Sequence, residues 1–99
     1  LRLSAKQRND IRKSVEGILG HSLIEIYLYG SRTNDNLRGG DIDLLVICKE
    51  KTVNIYQLIN EIKKTPSIGD QRIDITVATT NELSSDPFLK SIQDTLAVI

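Results

Sequence analysis

The sequence predicts a mixed α/β fold, a small mixed β-sheet flanked by helices, with elements in the order α-β-β-α-β-α. Three observations carry that reading. Two apolar stripes recur at helical spacing, Ile11-Val15-Ile18-Leu19 and Ile55-Leu58-Ile59-Ile62. Leu44, Leu45, Val46 and Ile47 are apolar on consecutive residues, as in a strand buried on both faces. Residues 73–77 alternate, with Ile73, Ile75 and Val77 set against Asp74 and Thr76.

Each element has its own start and stop signals. Ser4-Ala5-Lys6-Gln7 has the spacing of a capping box and opens the first helix, which Gly20 closes. Leu23 to Tyr29 reads as a strand stopped by Gly30, and Asp41 to Cys48 as a second. A helix is expected from about Thr52 to Lys64. Its terminal Lys63-Lys64 suits the negative end of the helix dipole, and Pro66 stops it. Arg72 to Ala78 is the third strand. Asp86 (cap) and Pro87 (first turn) open a last helix, expected to run to the end with Phe88, Leu89, Ile92, Leu96 and Ile99 as its apolar positions. No repeat or low-complexity tract interrupts this order, and residues 1–99 are expected to form one domain around one core.

The chemistry concentrates around residues 29–43. Gly30-Ser31 follows a strand, and nine residues later Asp41-Ile42-Asp43 begins the next. Side chains at i and i+2 of a strand share a face, so Asp41 and Asp43 project together. Two carboxylates so close repel each other, which a structural strand has no reason to tolerate; a bound cation removes the conflict. Mg²⁺ suits such a site because it favours a few carboxylates together with phosphate oxygens and water, and Mn²⁺ can substitute. If the third strand pairs beside the second, Asp74 joins the same face. Three carboxylates can hold two metals ~3.5–4 Å apart, one at the attacking and one at the leaving oxygen. Asp74 would then lie nearer the attacking hydroxyl and could take its proton. Glycine at position 30 lets the backbone approach a phosphate, and the Ser31 hydroxyl with neighbouring N–H groups can donate to it. Arg32 and Arg38 are candidate cationic phosphate contacts.

Composition excludes several classes. Thirteen basic residues balance thirteen acidic ones, so the electrostatic footprint of a long nucleic-acid binder is missing. No apolar run approaches the ~20 residues of a membrane span, and the start carries no signal-peptide core. A lone cysteine, Cys48, excludes an internal disulfide and reads as core. A cytoplasmic location is expected. His21 reads as a loop residue, and Tyr27, Tyr29 and Tyr56 as packing residues.

The pattern Gly-Ser, nine residues, Asp-x-Asp, then a third Asp on a later strand resembles the DNA polymerase beta-like nucleotidyltransferase superfamily. It is most similar to the minimal nucleotidyltransferases (MNT) encoded beside a helical HEPN partner in toxin–antitoxin pairs. The likeness spans nearly the whole chain, from the opening helix through Tyr-Gly-Ser-Arg, Gly-Asp-Ile-Asp-Leu-Leu-Val and Arg-Ile-Asp-Ile to Asp-Pro-Phe. It implies a nucleotidyltransferase fold. Gly30, Ser31 and Arg32 would hold the nucleotide, and Asp41, Asp43 and Asp74 would be the catalytic and metal-binding carboxylates. The implied reaction is Mg²⁺-dependent transfer of a nucleoside monophosphate, AMP from ATP first of all, to a hydroxyl of the helical HEPN-type partner, with release of pyrophosphate. In one departure, Thr33-Asn34-Asp35-Asn36 stands where many relatives carry an arginine.

Larger members of the superfamily add domains that hold the acceptor. Here another chain or a second copy is expected to do so, with the apolar end Leu96-Ala97-Val98-Ile99 partly packed on the sheet and partly available to an interface. Two alternatives remain open at the level of sequence. One is transfer to a small molecule, as in the aminoglycoside-modifying relatives. The other is a non-catalytic nucleotide-binding module that neutralises its helical partner by contact.

Overall fold

The hydroxyl of Ser4 accepts the N–H of Gln7 at 3.0 Å, and the side-chain oxygen of Gln7 accepts the N–H of Ser4 at 2.9 Å. This reciprocal cap starts helix α1 (Ala5–Leu19), whose buried face carries Ile11 and Val15. A computed structural model describes residues 3–34 and 40–99, without the side chain of Ser31. After a 3₁₀ turn at Gly20–Ser22 the chain enters strand β1 (Leu23–Tyr29), then a second 3₁₀ turn at Gly30–Thr33. Strand β2 (Ile42–Cys48) returns antiparallel to β1. Helix α2 (Ile55–Lys63) crosses over to strand β3 (Ile73–Ala78), which lies parallel to β2, as a connection of that length allows. Two short helices follow, α3 (Thr80–Ser85) and α4 (Pro87–Ile92), and a two-residue strand β4 (Ala97–Val98) pairs antiparallel with β1. The mixed sheet has the order β3-β2-β1-β4.

The expected architecture is present, with corrections. Helix α2 starts later than the expected Thr52 because Asn54 caps it, its side-chain oxygen accepting from the N–H groups of Tyr56 and Gln57. The last helix does not run to the end. It stops at Ile92, a 3₁₀ turn follows, and Leu96 turns extended so that the chain can add β4 to the sheet. The short helix α3 was not anticipated. Thr79 caps it in a second reciprocal pair with Glu82. Asp41 and Arg72 stand just ahead of the strands expected to include them, although the N–H of Ile42 already donates to the Arg72 carbonyl at 2.9 Å.

Both faces of the sheet are covered, which is why β2 reads as nearly continuous apolar sequence. On one face, α1 and α2 enclose Ile26, Leu28, Ile42, Leu44, Val46 and Cys48 with Ile73, Ile75 and Val77. On the other, Leu89 packs with Leu45, Ile47 and Ala78, and Tyr27 and Tyr29 lie against them. Tyr56 is not a packing residue: it is 79% exposed. The apolar end is divided, with Ile99 buried and Val98 half-exposed. Among the described residues no helix is long and apolar enough to cross a membrane.

Candidate active site

Strand register builds the site. Tyr29 pairs with Asp43 across β1 and β2, and Asp43 pairs with Asp74 across β2 and β3. The three side chains therefore stand in one row on the sheet face that carries α4. Leu45 and Ile47 continue that face from Asp43 into the second core, so one carboxylate stands at the rim of an apolar layer. Asp43 is partly buried and Asp74 is exposed.

The Asp43 carboxyl is held above the usual carboxylate range, first by burial, then by the charge of Asp74, then by that of Asp41. The fold thus gathers negative charge around Asp43. Asp41 is better compensated, with its Oδ2 3.5 Å from the Nε of Arg72. Both members of that pair are exposed, so it contributes little and is readily exchanged.

Gly30 gives the site its shape. Its φ is +77°, a conformation L-residues rarely adopt, and a Cβ there would stand 2.5 Å from the Oδ2 of Asp43. The backbone after β1 therefore lies directly against the carboxylate. The turn is closed by the Thr33 hydroxyl, which donates to the Gly30 carbonyl at 2.7 Å. Arg32 donates from Nε to the carbonyl of Gly40 at 3.3 Å and from its terminal nitrogen to the side chain of Gln71. It thereby ties this turn to the entries of β2 and β3.

The sequence-designated residues converge in part. Gly30, Asp43 and Asp74 lie together, with Asp41 close enough for its charge to act on Asp43. Arg32 is beside them but engaged with Gly40 and Gln71. Arg38, Asp35 and Asn36 lie outside the described residues, as does the Ser31 side chain. Sequence reasoning missed the wall of the site. The hydroxyl of Tyr29 lies 3.4 Å from that of Thr76, and its ring meets Phe88 edge-on at 6.1 Å. The place of Tyr29, directly before Gly30 and in phase with Tyr27, was the available signal.

The donor set fits a hard divalent cation in kind: oxygen ligands only, one of them raised by burial and by its neighbours' charge, and open to solvent on the Asp74 side. The expected convergence of three is not complete. No three His, Cys, Asp or Glu side chains among the described residues are drawn together closely enough to hold a metal ion as they stand. The contact of Asp41 with Arg72 is a physical reason.

Residues 13–95 match the family model described as polymerase beta, nucleotidyltransferase. A crystal structure of a mutant of the toxin–antitoxin pair MntA–HpeT, with two aspartates changed to glutamate, is similar with a TM-score of 0.56 and 25% identity. The match covers 71% of this chain and 55% of that one, so the chain spans about half the length of that relative. A nucleotidyltransferase crystal structure from Sulfolobus solfataricus shares the fold, with a TM-score of 0.53 and 21% identity over 94% of this chain and 78% of that one. No curated protein matches the sequence.

Proposed function

The chain belongs to the polymerase beta nucleotidyltransferase family, and we propose on that premise that it transfers a nucleoside monophosphate from an NTP to a hydroxyl of a partner protein. ATP is the proposed donor, Mg²⁺ the proposed metal, and the role that of an antitoxin modifying a helical HEPN-type toxin. The observation that carries this reading is the contact of Gly30 with Asp43 in a row completed by Asp74. A carboxylate raised by burial and then by its like-charged neighbours, with bare backbone folded against it, is costly in a structural strand and useful beside a triphosphate.

In this reading the turn at Gly30–Thr33 offers backbone N–H groups to the phosphates, and Arg32 adds positive charge. Asp43 and Asp74 would hold Mg²⁺, with Asp41 joining them on release from Arg72. The metal when bound supplies charge neutralisation at the phosphates and lowers the pKa of an attached hydroxyl. The acceptor oxygen attacks the α-phosphorus and its proton passes to Asp74. The bond to the β-phosphate's bridging oxygen breaks, and pyrophosphate leaves. Tyr29 and Phe88, in edge-on contact, border this chemistry on the α4 side.

The likeness to the MntA–HpeT pair supports the antitoxin role. One observation favours a second reading, in which the chain neutralises its partner by contact alone: Asp41 is engaged by Arg72, and three carboxylates do not converge. The two separate in a double-label experiment with purified partner protein. Transfer predicts that label from α-phosphate ATP stays on the partner while label from γ-phosphate ATP leaves as pyrophosphate. Stable association with neither label retained would overturn it in favour of the second reading.

A further inference from the structure

We propose that the open edge of β3 receives the acceptor polypeptide as an added antiparallel strand, which sets a hydroxyl side chain beside Asp74 and the next side chain in an adjoining apolar groove. This inference rests on the nucleotidyl-transfer reading and names how its acceptor is gripped.

Among the described residues β3 is an outer strand of the sheet, paired with β2 on one side only. The carbonyl of Arg72 accepts from Ile42, so the backbone groups of Arg72, Asp74, Thr76 and Ala78 point toward β2. Those of Ile73, Ile75 and Val77 point outward by alternation, and none of the hydrogen bonds among the described residues satisfies them. Such an edge is a template for an extended chain.

The register makes this edge specific. In an added antiparallel strand, Ile73, Ile75 and Val77 would form the hydrogen-bonded pairs and Asp74 a non-hydrogen-bonded pair. Side chains stand closest in the latter, with Cβ atoms about 4.5–5.5 Å apart. The residue opposite Asp74 would extend the row Tyr29–Asp43–Asp74 by one place, on the same sheet face. A Ser, Thr or Tyr there brings its hydroxyl to the carboxylates.

The neighbouring residue of the added strand points to the opposite face. There, beside β3, lies a groove of about 380 Å³ lined by Lys51, Val53, Ile55, Ile75, Thr76 and Val77. Ile55, at the start of α2, is 37% exposed beside this groove. An apolar side chain of the acceptor fits. A second copy of β3 fits less well, because it would bring its own aspartates against these.

The test uses the whole chain and short synthetic peptides that alternate Tyr or Ser with Val, alongside versions with proline at the pairing positions. Hydrogen exchange at the amides of Ile73, Ile75 and Val77 is the readout. The alternating peptides should slow these three by about tenfold or more, and the proline versions should not. Ile55→Glu, at a partly exposed helix start, should abolish that protection and transfer to the peptide while leaving stabilisation by Mg²⁺ and ATP unchanged. Label transfer with the three amides still unprotected would overturn edge docking and leave transfer standing. Protection without any label transfer would leave the docking edge standing and overturn the transfer reading. Protection that grows with the protein's own concentration, without peptide, would assign the edge to a second copy and overturn the proposal.

Discussion

Gly30→Ala tests the contact that shapes the site. The substitution places an L-residue at φ +77°, which costs about 1–2 kcal/mol. It also sets a methyl 2.5 Å from the Asp43 Oδ2, so the carboxylate must rotate away, at about 0.5–1.5 kcal/mol for leaving its rotamer. The sum is about 1.5–3.5 kcal/mol. For a domain of this size its midpoint lowers the melting temperature by roughly 10–20 °C. Transfer should fall about 10²-fold, the usual consequence of displacing a reacting group by about an ångström. Thermal unfolding of wild type, Gly30→Ala, Asp43→Ala and the double variant completes a cycle. With Asp43 truncated the backbone cost remains and the clash is gone, so a coupling of about 0.5–1.5 kcal/mol is expected. A coupling near zero would refute the claim that Gly30 is glycine because of Asp43.

Four other outcomes follow from the same geometry. Asp43→Asn should melt higher than wild type without metal, because a carboxyl raised in the fold loses stability as pH climbs from the usual carboxylate range through its raised value; a variant no more stable near neutral pH would contradict the crowding at Asp43. Mg²⁺ with ATP should raise the melting temperature of wild type, by about 2.7 kcal/mol in stability at a hundredfold excess over Kd, and should raise that of Asp43→Asn far less. Arg72→Ala should change stability by under about 1 kcal/mol, since its ion pair is exposed, and should lower the Mg²⁺ concentration needed for that shift. Ser67 and then Lys6 hold the Asp10 carboxyl below the usual range, so its contribution is present above that range and is lost as pH falls from it through the lowered folded value; Ser67→Ala should move acid unfolding, followed by circular dichroism, to higher pH.

Much of this was legible in the residues. The Ser4–Gln7 cap, the Asp86-Pro87 helix start and the three principal strands each follow from local rules about donors, φ angles and alternation. The cap at Thr79–Glu82 obeys the same rule as Ser4–Gln7 and marked α3 in the same way. Strand β4 was not legible. Two residues are too few for a period, and Leu96 and Ile99 also fit a continuing helix, so only the exposed edge of β1 decides between the two. The site was half-legible for a similar reason. Residue types and spacing point to Asp43 and Asp74, but their pairing depends on β3 lying parallel to β2, a tertiary fact. The engagement of Asp41 by Arg72 and of Arg32 by Gln71 joins residues far apart in sequence, and no local pattern announces either.

Whether the carboxylate row performs nucleotidyl transfer can be measured on the protein itself. The most direct measurement follows α-phosphate label from ATP, with Mg²⁺, into protein of the host lysate, for wild type beside Asp43→Asn. A labelled protein band is expected with wild type and none with the variant, which should keep its fold and its partner. An equal band with both, or no band from wild type even with the partner protein added, would contradict transfer by this row.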